Sequence, residues 1–101
     1  MEGAQPAWRD NRQDVRNICI IPGVVETSQG SIPVTIVNLS SYGAGLLGSG
    51  LPDEGTELVL TSEHLRTTGV VMWKNGVRCG LLLNSEIDPL DIILRSVAVT
   101  R

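Results

Sequence analysis

Phenylalanine is missing from this 101-residue sequence, and the aromatics are limited to Trp8, Tyr42 and Trp73. A core without phenylalanine has to be filled by Val, Ile and Leu, and β-branched residues of this kind favour strands. Cysteine and histidine are almost as scarce. Cys19 and Cys79 lie 60 residues apart, and His64 is the single histidine, so neither a zinc site nor a C-x-x-C redox motif is indicated. Two reduced thiols buried in apolar runs are expected, and His64, in a polar stretch, is expected at the surface.

Excess positive charge is also lacking. The net charge is −3 and the isoelectric point about 4.9, which disfavours non-specific attraction to nucleic acid or anionic lipid. No run approaches the roughly 18 to 20 apolar residues that span a bilayer. Met1 to Ala7 has neither the charged start nor the apolar block of a signal peptide. No membrane insertion is expected, and the cytoplasm is the expected location. Catalytic signatures are absent as well: there is no G-x-S-x-G, no H-E-x-x-H and no G-x-x-x-x-G-K-[ST], so the chain reads as a non-enzyme.

What is present describes one small folded unit. Hydrophobic residues make up 42% and charged residues 19%, a globular rather than a disordered composition. Short β-like runs follow Arg16: residues 17–26, 31–38, 43–49 and 56–62, then two runs within 68–83. Gln29-Gly30 suits the first hairpin connection, and Pro33 marks an edge or the first residues of its strand. Asn75-Gly76 suits a type I′ turn. The acidic residues Asp53, Glu54, Glu57 and Glu63 read as a solvated face.

Over residues 88–100 the period changes. Leu90, Ile93, Leu94 and Val97 fall at the spacing of one helical face, with Asp88 as the N-cap and Pro89 at the first helical position. These signals predict an all-β fold with a terminal helix. The expected form is a six-stranded antiparallel β-barrel or closed sandwich over 17–101, with the helix at about 88–98 covering an open mouth or edge. Residues 1–16 are expected to form a flexible arm.

Two short motifs carry the functional reading. Arg12-Gln13-Asp14-Val15-Arg16 has the form R-x-x-x-R, and a guanidinium fork can hold a phosphate bidentately, bind guanine O6 and N7, or stack on a purine. Asn38-Leu39-Ser40-Ser41-Tyr42-Gly43 has the form [D/N]-x-S-x-x-G. Asn38 offers a donor and an acceptor, Ser40 an adaptable hydroxyl, and Gly43 room for close approach. A plain strand connection remains the alternative for the second motif. The two together describe a phosphate clamp and a base reader.

In this order, ahead of a V-x-W strand and the strand "GVRCGLLL", the motifs resemble those of the PilZ domain over about residues 9–98. The resemblance implies a six-stranded split barrel with a C-terminal helix that binds the bacterial second messenger cyclic di-GMP and needs no other cofactor. It further implies an arm that folds over the ligand, Arg12 and Arg16 on phosphate and guanine, Asn38 and Ser40 on guanine or phosphate, and a downstream protein effector. Many ligand-binding relatives carry another arginine directly before R-x-x-x-R that favours an intercalated ligand dimer. Here the position is Asn11, with Arg9 nearby, which leaves the stoichiometry open. Asp10 and Asp14 flank the arginines, and modest affinity is expected from their repulsion of phosphate.

Trp73 is expected in the core, with stacking on a purine as the alternative. Arg78 reads as a solvated strand residue, with a third phosphate contact as its alternative. Arg9, Asn11, Trp73 and Arg78 are thus second-tier ligand candidates. The competing function is a barrel of the same fold that mediates protein contacts without nucleotide.

Overall fold

The computed structural model of the chain describes residues 15–98, with side chains of the terminal helix described as far as Ser96. Six strands are followed by one helix: β1 (Asn17–Thr27), β2 (Gly30–Leu39), β3 (Gly43–Leu47), β4 (Glu57–Ser62), β5 (Leu65–Asn75), β6 (Arg78–Leu83) and α1 (Pro89–Ala98). The strands close into an antiparallel barrel in the order β1-β2-β3-β6-β5-β4. This is the expected fold.

Alternation supplies the core. Leu58 and Leu60 on β4 and Leu65, Thr67 and Val71 on β5 point inward, while Glu57, Arg66 and Thr68 face out. Val25, Ile36, Leu39 and Leu46 complete an interior made of aliphatic side chains. Closure is shortest between β1 and β4, where only Val24, Val25 and Glu26 find partners. The first half of β1 therefore pairs with β2 alone, and α1 packs against β1. Pro33 pairs with Val24 on β1, whereas β3 joins β2 only from Thr35 onward. The residue without an N–H thus stands where one ladder has not yet begun.

Several local expectations are corrected. Asn75 and Arg78 are register partners, so the β5–β6 turn is centred on Gly76-Val77. Gly76 has φ of 64° and no non-glycine residue has positive φ among the described residues, which fits a type II′ turn and excludes type I′, since the latter needs two positive angles. The first hairpin turns on Ser28-Gln29, with Gly30 opening β2 opposite Thr27. Thr27 Oγ1 accepts the Gln29 N–H at 3.0 Å and tightens this turn. The acidic residues Asp53, Glu54, Glu57 and Glu63 are exposed, as expected. His64, expected at the surface, is half-buried; its Nε2 has no hydrogen-bond partner among the described residues and lies 4.0 Å from Glu63 Oε2.

The helix begins as its sequence indicates. Asp88 Oδ1 accepts the Asp91 N–H at 3.2 Å, Pro89 opens the helix, and Arg95 Nε donates to Asp91 Oδ2 at 2.9 Å. The face turned inward differs from the expected one. Ile92 is buried and Ile93 half-buried, whereas Leu90 and Leu94 are exposed. With apolar residues at 90, 92, 93 and 94, the helix has two possible apolar faces, and the one that carries Ile92 and Ile93 packs on the core.

Ile92→Ala is accordingly expected to destabilise the fold by about 2 kcal/mol, the low end for a buried aliphatic truncation. Leu94→Ala should fall within about 0.5 kcal/mol of the parent. Urea unfolding of both variants checks this, and equal losses would contradict the assigned face.

Candidate functional site

β1 and β2 form the hairpin that brings the two motifs together. Asn17 stands opposite Leu39 and Ile18 opposite Asn38, so Arg16, one residue before β1, arrives beside the end of β2. Arg16 Nη1 donates to Asn38 Oδ1 at 3.0 Å across 22 residues of sequence. The same guanidinium lies over Gly43: a Cβ placed there would sit 3.0 Å from Nη1 and 3.2 Å from Nη2. Glycine at 43 therefore leaves room for the arginine, a role beyond the turn itself.

The turn between β2 and β3 is held from both sides. The Ser40 N–H donates to the Gly43 carbonyl at 2.9 Å, and the Ser40 hydroxyl lies 3.5 Å from the same oxygen. The Leu83 N–H donates to the Tyr42 carbonyl at 2.8 Å and the Ile87 N–H to the Ser41 carbonyl at 2.9 Å. The contact to guanine or phosphate that the resemblance implies for Ser40 needs an accessible hydroxyl, but its relative exposure is 0%. The turn folds its hydroxyl back onto the backbone, as serine does in tight turns. Ser40→Ala is therefore expected to destabilise the protein by about 1 kcal/mol, the usual scale for one buried hydrogen-bonding group; a thermal melt identical to the parent would contradict this.

Trp73 is also corrected. Strict alternation from Val71 would carry residue 73 inward, but the β5–β6 register shifts between Val71, opposite Leu81, and Trp73, opposite Gly80. The extra residue, Met72, forms a bulge, and a bulge re-aims the side chains that follow it. Met72 and Trp73 both end on the outer surface.

A cleft of about 520 Å³ lies between these elements, lined by Arg16, Tyr42, Met72, Trp73, Leu82 and Glu86 among others. Its size is ordinary for a site that takes a small molecule. Its walls combine the Arg16 cation, the Glu86 carboxylate, two aromatic rings and aliphatic surface, with ring faces for a planar ligand and the Arg16 fork for an anionic group on it. Arg16 and Gly43 line the cleft directly, and Asn38 reaches it through Arg16. Arg78 is exposed at the start of β6 and does not line it. Arg9, Asn11 and Arg12 lie outside the described residues.

Tyr42, Met72, Leu82 and Glu86 were not singled out from the sequence. Tyr42 occupies an unspecified position of N-x-S-x-x-G, and Met72 and Leu82 join through a bulge and a register that alternation alone does not reveal. Both cysteines are free. Cys79 is buried and Cys19 half-buried, with its Sγ 3.6 Å from the Ile36 carbonyl. Burial pushes both thiols above their usual range, with Lys74 opposing the shift at Cys79. Neither has the lowered pKa of a reactive thiol.

A small closed barrel with an arginine–amide pair at the head of an aromatic-walled cleft is the form of a ligand-binding module. The sequence matches the PilZ domain family over residues 10–98, and the chain belongs to that family, one of cyclic di-GMP receptors. Among solved structures it is similar to the inhibitor of motility MotI/DgrA of Bacillus subtilis, with a TM-score of 0.62 and 20% sequence identity over 89% of this chain and 53% of that one. The chain thus spans about half the length of that protein, and the likeness concerns the fold. No curated protein matches the sequence.

Proposed function

We propose that this chain is a receptor for cyclic di-GMP that acts without catalysis, in the cytoplasm, by changing the surface it shows to a protein effector. The observation that carries this reading is the Arg16–Asn38 hydrogen bond over Gly43, which joins the two motifs at one end of the cleft. Arg16, with Arg12, would hold phosphate and guanine, and the Asn38 amide would hydrogen-bond a base edge or orient Arg16 toward it. Buried as it is, Ser40 would act by holding the turn that presents Gly43 and Tyr42. Tyr42 and Trp73 supply ring faces for a purine.

Binding at this point would draw the arm that carries Arg12 over the ligand and so alter the surface beside β1. Exposed Ile18 and Ile20 on β1 and Leu90 and Leu94 on α1 supply apolar area for a protein contact. Among the described residues no helix is long and apolar enough to cross a membrane.

A thermal-shift comparison tests the reading. A ligand that binds only the folded state at a hundred times its Kd stabilises by about 2.7 kcal/mol, which for a domain of this size is a rise of more than about 10 °C. Cyclic di-GMP is expected to produce such a rise, and GMP at equal concentration only a small one. Equal responses to both, or none to either, would reject the proposal.

A further inference from the structure

Four residues on four adjacent strands stand in one register row: Asn38 opposite Gly45, Gly45 opposite Gly80, and Gly80 opposite Trp73. Both ends of the row have been turned outward by an extra residue. On β2 the register shifts between Ile36 and Asn38, and on β5 between Val71 and Trp73. Without these bulges at Val37 and Met72, alternation from buried Ile36 and Val71 would send Asn38 and Trp73 toward the core.

The two central residues have no side chain, and the flanking side chains lie down on them. A Cβ at Gly80 would meet the Trp73 indole, with Cε2 at 2.6 Å and Cδ1 at 2.9 Å and Nε1 nearer still. A Cβ at Gly45 would meet the Asn38 amide, with Cγ and Oδ1 both at 2.9 Å and Nδ2 nearer still. Glycine inside a strand weakens it unless something approaches closely, and an aromatic ring laid over a strand glycine compensates for the loss. Here the approaching groups are the amide that accepts the Arg16 hydrogen bond and the indole that walls the cleft.

We infer that Gly45 and Gly80 are positioning residues of the ligand site: the bare strip they form seats the Asn38 amide and the Trp73 indole flat on the outer face of the barrel, and through Asn38 it sets Arg16. This rests on the cyclic di-GMP reading above, and it assigns the fit of the site to two residues that act through the side chains seated on them. A methyl group at either position displaces a side chain rather than backbone, so the fold survives while one wall of the site is lifted.

The test is a pair of double-mutant cycles read by cyclic di-GMP titration. Gly80→Ala is expected to weaken binding about tenfold in the parent and less than twofold further in Trp73→Ala. Gly45→Ala should do the same in the parent and in Asn38→Ala. Equal losses with and without the seated side chain would overturn the inference. A ligand-free reading separates its failure from failure of the receptor proposal. In a Trp8→Phe chain, whose emission comes from Trp73 alone, Gly80→Ala should shift the emission maximum to longer wavelength and Gly45→Ala should leave it in place. An unchanged maximum in the Gly80→Ala chain overturns the seat whether or not the ligand binds. If Gly80→Ala lowers the melting temperature, adding Trp73→Ala should restore most of the loss, and no recovery would likewise overturn it.

Discussion

Arg16→Ala is expected to weaken cyclic di-GMP binding about a hundredfold while moving the melting temperature by less than about 3 °C. The guanidinium is exposed, so its loss should change stability by no more than about 0.5 kcal/mol, the usual range for surface positions. For the ligand the account is different. Hydrogen bonds to a charged group contribute about 1.5 to 3 kcal/mol, and a hundredfold change corresponds to about 2.7 kcal/mol. The substitution also leaves Asn38 Oδ1 without its 3.0 Å donor. Arg16→Lys keeps the charge but loses the planar fork, and should fall between the two. Parent-like affinity in Arg16→Ala would remove the arginine from the site.

Leu39→Ala is expected to have the largest effect on stability, about 3 kcal/mol. Leu39 occupies an unspecified position of N-x-S-x-x-G, yet it is 0% exposed and packs in the core between two polar residues of the motif. Truncation of a fully buried leucine costs about 2 to 5 kcal/mol, set by the lost burial and by how far the cavity closes. Against a typical total of 5 to 15 kcal/mol this is a large fraction. Urea unfolding should show a lower midpoint with an unchanged slope. A loss under about 1 kcal/mol would show that the motif is not anchored through this side chain.

The meeting of Arg16 with Asn38 was within reach of the sequence. A hairpin turning near residues 28–30 folds residue 17 onto residue 39, which places the end of R-x-x-x-R beside the start of the second motif. The outward position of Trp73 was not within reach, because one extra residue at Met72 reverses the alternation and no residue type at that position announces a bulge. Gly45 and Gly80 did carry a signal, since glycines inside strands mark bulges or close approach. What approached them depended on a register spanning four strands. Asn75-Gly76 located its hairpin correctly but shifted by one residue, as the glycine adopted the first central position. In α1, the caps were readable from Asp88 and Pro89. The buried face was not, because apolar residues at 90, 92, 93 and 94 leave two faces open.

The residues that hold the site are thus spread over local and distant levels of organisation. Ser40 and Gly43 act through a turn of four residues, Arg16 and Asn38 through one hairpin, and Trp73 through a bulge on a strand that reaches the site by way of the β3–β6 and β6–β5 pairings.

Calorimetric titration of cyclic di-GMP into the parent chain tests the central claim most directly. The account predicts saturable binding with a defined stoichiometry and an affinity in the micromolar range, about −8 kcal/mol, abolished or strongly reduced by Arg16→Ala. Absence of binding heat at high micromolar ligand, together with an unchanged melting temperature, would contradict it.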